Sequence, residues 1–144
     1  MGTAARIRAL RIRAGKSQAG MAQALGLNDA WYADIETRDD ELASTFSLFK
    51  AMELAALLGV TLPELLDAPP VAERIDLIEL PDRITAYAAQ AGIPLAELED
   101  RLGADLREFI AAPVQSAAEL PIAFFQAVAA LLGISWLALV PDEP

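Results

Sequence analysis

Residues 6–26 and 83–103 align without a gap: RIRALRIRAGKSQAGMAQALG stands against RITAYAAQAGIPLAELEDRLG at an offset of 77. Eight of the 21 positions are identical, including both glycines, which lie eleven residues apart in each copy. A second anchor follows in the same order, AALLGVT at 55–61 against AALLGIS at 129–135, at an offset of 74. Three residues are therefore lost between the anchors. Two anchors in the same order predict two small domains of one plan, about 1–68 and 80–144. Residues 69–79 join them: APPVAERIDLIELPD brings Pro69, Pro70 and Pro81, none of which continues a helix, and IDLIEL alternates weakly enough to suit a short extended piece.

Inside the first copy the periodicity is helical. Ile7, Leu10 and Ala14 share one face of a helix over 3–14, with Arg8 and Arg11 pointing away from it. Lys16 and Ser17 open a second helix through Leu25. Gly26 suits a left-handed helix end, and Asn28 is a good cap for a third helix through about Glu36. A polar loop, RDDELAS, leads to a fourth helix over about 45–58, stopped at Gly59, and Thr61 caps a short fifth, LPELLD. Hydrophobic residues make up 55% of the chain, mostly Ala and Leu, with β-branched residues scattered, so the fold class is all-α.

The chain has no Cys and no His, which removes thiolate chemistry and the commonest general base and metal ligand. No phosphate loop, dinucleotide fingerprint or metal-ligand spacing is present, so we expect no enzyme, no catalytic residue, no metal and no cofactor. Net charge is −10, divided as −2 over residues 1–70 and −8 over 71–144. Five cations, Arg6, Arg8, Arg11, Arg13 and Lys16, precede the first acid, Asp29, and no acid separates Arg8 from Arg11 to neutralise them locally. The N-terminal stretch has basic residues but no apolar core of a signal peptide, and a cytoplasmic protein is expected.

Helix, glycine-containing turn, helix is the unit that lays its second helix in the major groove of DNA. Through RALRIRAGKSQAGMAQALGLN, Ile35-Glu36 and AMELAALLGVTLPELL, residues 5–67 resemble the phage-repressor/Cro-like (XRE-type) helix-turn-helix family. The resemblance implies a five-helix, lambda-repressor-like domain in tandem duplication, and a DNA-binding transcriptional regulator of bacterial or phage type. It also implies roles. Ser17 caps the second helix, and Gln18 touches a phosphate. The run Arg6, Arg8, Arg11, Arg13 and Lys16 supplies further phosphate contacts, while Asp29, Ala30, Ala33 and Asp34 face the bases with Trp31 at the rim. Asn28 and Arg38 complete the candidate DNA-binding set. Family members that bind DNA usually carry cations or neutral polar groups at the base-facing positions. Asp29 and Asp34 depart from that pattern: each can accept from a cytosine amino group, but both also face the phosphates.

The second copy keeps the apolar frame and loses the reading machinery. Pro94-Leu95 replaces Ser17-Gln18, Glu99 replaces the small Ala22, and Pro113 replaces Glu36. This degenerate copy is expected to serve packing or homodimerisation, with Phe124, Phe125 and Trp136 set against the first domain or a second subunit. The uncharged stretch at 120–141 meets the length of a membrane span, but Gly133-Ile134-Ser135 repeats a helix break, Pro121 and Gln126 interrupt it, and no cation follows; no membrane partner is expected. The alternative to a DNA regulator is a protein-interaction module of the same fold, such as an anti-repressor, antitoxin-like inhibitor or DNA mimic, with a basic protein partner.

Overall fold

In the computed structural model, which describes residues 2–69, 71 and 73–141, all regular structure among the described residues is helical. The chain divides into two compact units, Met1–Pro70 and Val71–Glu143, each with its own core.

The first unit begins with α1 (Thr3–Arg13), which buries Ala4, Ile7 and Leu10 at a spacing of three. Ala14 lies at its C-cap and is exposed, so the apolar stripe starts one turn earlier than the sequence implied. The N-cap is Gly2, which has no side chain to offer; the Asp39 carboxylate accepts from the Ala4 N–H at 3.0 Å instead. Next comes α2 (Gln18–Leu25), capped by Ser17 Oγ accepting from the Gly20 N–H, and ended by Gly26 at φ 70°, a conformation that strains any residue with a Cβ. Asn28 Oδ1 then accepts from the Trp31 N–H at 2.7 Å and starts α3 (Asp29–Ile35). The polar loop expected at 38–44 is partly a helix, α4 (Glu41–Thr45), because Glu41 and Leu42 are both buried. Ser47 caps α5 (Leu48–Leu57), so the helix expected from 45 is divided in two at Phe46, which is extended and buried. Thr61 caps α6 (Leu62–Leu65), with Pro63 in its first turn where a missing N–H costs nothing. Met21, Ala22 and Leu25 from α2, Tyr32 and Ile35 from α3 and Leu54 from α5 are all buried in the core of this unit.

The second unit holds α7 (Leu80–Ala91), α8 (Leu95–Leu102), α9 (Leu106–Ala111), α10 (Pro113–Glu119), α11 (Ile122–Leu132) and a 3₁₀ turn (Trp136–Leu139). Gly103 ends α8 at φ 68° as Gly26 ends α2. Leu98 is fully buried where Met21 is, while Glu99, in the place of buried Ala22, is only half-buried. Phe124 and Phe125 do not wait for another surface. With Phe109 they form an edge-to-face cluster at centroid distances of 5.1–6.1 Å inside this unit. Residues 75–79, expected within the linker, take part in the same packing: the Ile75 N–H donates to the Ala138 carbonyl at 2.9 Å and Leu77 is buried. The stretch IDLIEL contains a turn at 77–79 and no strand. The apolar run at 120–141 is broken at Gly133, and no helix among the described residues is long and apolar enough to cross a membrane.

Candidate nucleic-acid interface

The geometry of the α2–turn–α3 unit is held by one polar cluster. Arg11, near the end of α1, donates from Nε to Glu36 Oε2 at 2.7 Å and from Nη2 to Oε1 at 3.0 Å, and its Nη1 reaches the Lys16 carbonyl. Gln18 Nε2, from the first turn of α2, donates to the same Glu36 Oε1 at 3.2 Å. Glu36 closes α3, so a single carboxylate ties three helices together. The pair is withdrawn from water, with the side chains 12% and 1% exposed. Burial pushes the Glu36 carboxyl up, but the hydrogen bonds from Arg11 and Gln18 outweigh it and hold the group below its ordinary value. The same hydrogen bond raises the Arg11 guanidinium. Tyr32, whose hydroxyl is buried beside this pair, is pushed up by burial and by the Glu36 charge; the hydroxyl itself has no hydrogen-bond partner among the described residues.

This cluster changes two assignments. Arg11 is neutralised by an acid twenty-five residues away, and Gln18 is turned to Glu36. Both hold the scaffold, because a guanidinium buried to this degree requires a bidentate anion. Arg6 is also engaged: its Nε and Nη2 donate to the carbonyls of Glu64 and Leu65, satisfying the C-terminal end of α6. Arg38 pairs with Glu41, which raises its guanidinium. Lys50 Nζ reaches the Leu25 carbonyl at 2.6 Å at the end of α2. Arg8, Arg13 and Lys16 are exposed, and their side chains make no hydrogen bond or ion pair with a described residue.

The outward side of α3 is as expected in position: Asp29, Ala30 and Asp34 are exposed, Ala33 is half-buried, and Ser17 and Asn28 cap their helices. Trp31 is less free than a rim residue. Its indole N–H donates to Thr45 Oγ1 at 3.0 Å and its ring stands edge-on to Phe46 at 5.7 Å. Together Asn28, Ala30, Trp31, Asp34, Glu41 and Thr45 line an open depression of about 510 Å³. Glu41 escaped the sequence reading because residues 38–44 read as loop, and Thr45 because it read as the start of the following helix rather than the end of α4, although the apolar Leu42 beside Glu41 was a signal of inward packing.

A capped helix, a left-handed glycine and a second capped helix held at a fixed angle is the arrangement of a groove-reading unit. Residues 4–68 match the family model described as helix-turn-helix domain. The first unit is a helix-turn-helix domain. No curated protein and no solved structure matches the chain. In this helix-turn-helix domain, α3 occupies the place of the second helix of the motif.

Proposed function

We propose that the protein is a DNA-binding transcriptional regulator whose helix-turn-helix domain lays α3 in the major groove. The observation that carries this reading is the intact α2–turn–α3 unit, its two helices capped by Ser17 and Asn28, with Ala30 and Asp34 facing outward and Arg13 and Lys16 unpaired where α1 gives way to α2. The phosphate-contacting set reduces to Arg8, Arg13 and Lys16, with the N-terminus of α2 as a further donor of backbone N–H groups. Base reading falls to Asp29 and Asp34, whose carboxylates accept hydrogen bonds and therefore favour cytosine amino groups. The second unit, a degenerate copy of the same plan, holds two protomers together, and two-fold pairing sets the half-sites about one helical turn apart.

The test is a salt titration of binding to oligonucleotides selected with the full chain. With three unpaired cations per domain, log affinity should fall against log salt with a slope of about −3 per engaged domain. Exchanging Asp29 and Asp34 together for Asn should raise non-specific affinity and relax the selected sequence. Failure to bind any selected oligonucleotide at low salt overturns the reading.

A further inference from the structure

We propose that the outward face of α1 is a docking surface for a second copy of this chain, which presents to it the turn at 76–79. The inference goes beyond DNA reading and does not rest on it. The face is apolar along its middle: Ala5, Ala9 and Ile12 follow one another at helical spacing, all three are exposed, and Ile12 is 59% exposed. Cations border it. Arg8, Arg13 and Lys16 are exposed, and none is paired with a described residue. Residues 3–17 hold five cations and no acid. An aliphatic side chain left in water at this place is best covered by a partner that is apolar at its centre and acidic at its rim.

The chain carries such a group. Ile78 is 66% exposed, more than any other large apolar side chain among the described residues. It is held in that position: the Asp76 carboxylate accepts from the Ile78 N–H at 3.0 Å, the Glu79 N–H donates to the Asp76 carbonyl at 2.9 Å, and Leu77 and Leu80 are buried. A knob fixed in this way loses little conformational freedom on docking. Asp76, Glu79 and Asp82 are exposed beside it in the chain, and residues 75–82 hold no cation. These charges are opposite to those on α1. Two α1 helices facing each other would instead set Arg8 and Arg13 against like charges, and phosphates alone would leave Ile12 in water. Two copies related by a two-fold axis make the contact twice. Because it covers Arg8, Arg13 and Lys16, self-association by this contact and phosphate binding by those cations exclude each other.

The test is a dilution of the isotopically labelled full chain from about 1 mM to about 10 µM, followed by amide resonances. Those over 5–16 and 76–83 are expected to move together, with one Kd on the order of a hundred micromolar that weakens as salt is raised. Ile12→Ser and Ile78→Ser, both exposed changes, should each weaken the association severalfold. Two charge-reversed chains, one with Arg8→Glu and Lys16→Glu and the other with Glu79→Lys and Asp82→Lys, should each associate with themselves at least tenfold more weakly. Mixed in equal amounts, the two reversed chains should associate again, since each then meets opposite charge; that recovery also shows that neither has lost its fold. Resonances over 5–16 that do not respond to dilution, an unchanged Kd in either reversed chain, or no recovery on mixing overturns the proposal. No DNA is present, so the outcome is independent of the oligonucleotide titration.

Discussion

At the scale of single residues, the first unit depends on a carboxylate that the sequence presents as an ordinary member of an acidic stretch. Glu36 is 1% exposed and engages Arg11 through both oxygens. Removing it leaves a guanidinium with little access to water. Glu36→Ala is therefore expected to lower the unfolding free energy by about 3 kcal/mol, measured by urea denaturation. The double change Arg11→Met, Glu36→Leu should recover most of that loss, because it removes the buried charge along with its partner. The pH dependence follows from the direction of the shift. A carboxyl held below its ordinary value contributes stability that is complete above about pH 5 and lost as pH falls through the folded-state value, so acid should loosen α3 first. Amide exchange over 29–36 compared with 48–57 checks the order. Tyr32→Phe removes a buried hydroxyl without a hydrogen-bond partner; stability should stay level or rise by up to about 1 kcal/mol. A fall of that size would mean that the hydroxyl donates to Glu36 after all.

Among the elements, boundaries follow from local chemistry. Ser17, Asn28, Ser47 and Thr61 each accept from a backbone N–H three residues on, and each was or becomes a readable start of a helix. The misreading lies at α4, five residues long, where Asp39 and Asp40 gave the stretch the look of a solvated loop. Asp39 instead caps α1 from thirty-five residues away, a relation that no local rule expresses. The glycine that ends α2 has a counterpart in Gly103 at the end of α8, with φ of 70° and 68° and no neighbour within 4 Å of an added Cβ at either. Since nothing but the backbone opposes a side chain there, Gly26→Ala and Gly103→Ala should each cost about 1 kcal/mol, equal within error. Thermal unfolding of both variants measures it; a loss at Gly26 several times larger would place a further constraint on the turn before α3.

For the whole molecule, the division into two compact units with separate cores predicts that each carries what its own folding needs. Residues 1–70 expressed alone should give a helical circular dichroism spectrum and a cooperative melt, at the modest stability a domain of that size supports. A non-cooperative melt would show that the first unit requires the rest of the chain. Helical class, the left-handed glycines and the helix-turn-helix plan were legible from residues alone, because capping, periodicity and φ preference act within a few positions of the chain. The apolar residues of α2 and α3 were legible for the same reason, since any packing of those helices buries that face. Which cations remain to meet a phosphate was not legible. Arg6, Arg11 and Lys50 read alike in sequence with Arg8, Arg13 and Lys16, and only the fold brings the carbonyl or carboxylate found at the first three. Nor did the sequence reveal that Trp31 and Glu41 share a depression. Local propensity determined the helices; the charge left exposed on them depends largely on pairings between residues twenty-five to fifty-nine positions apart, and those exist only once the chain has closed on itself.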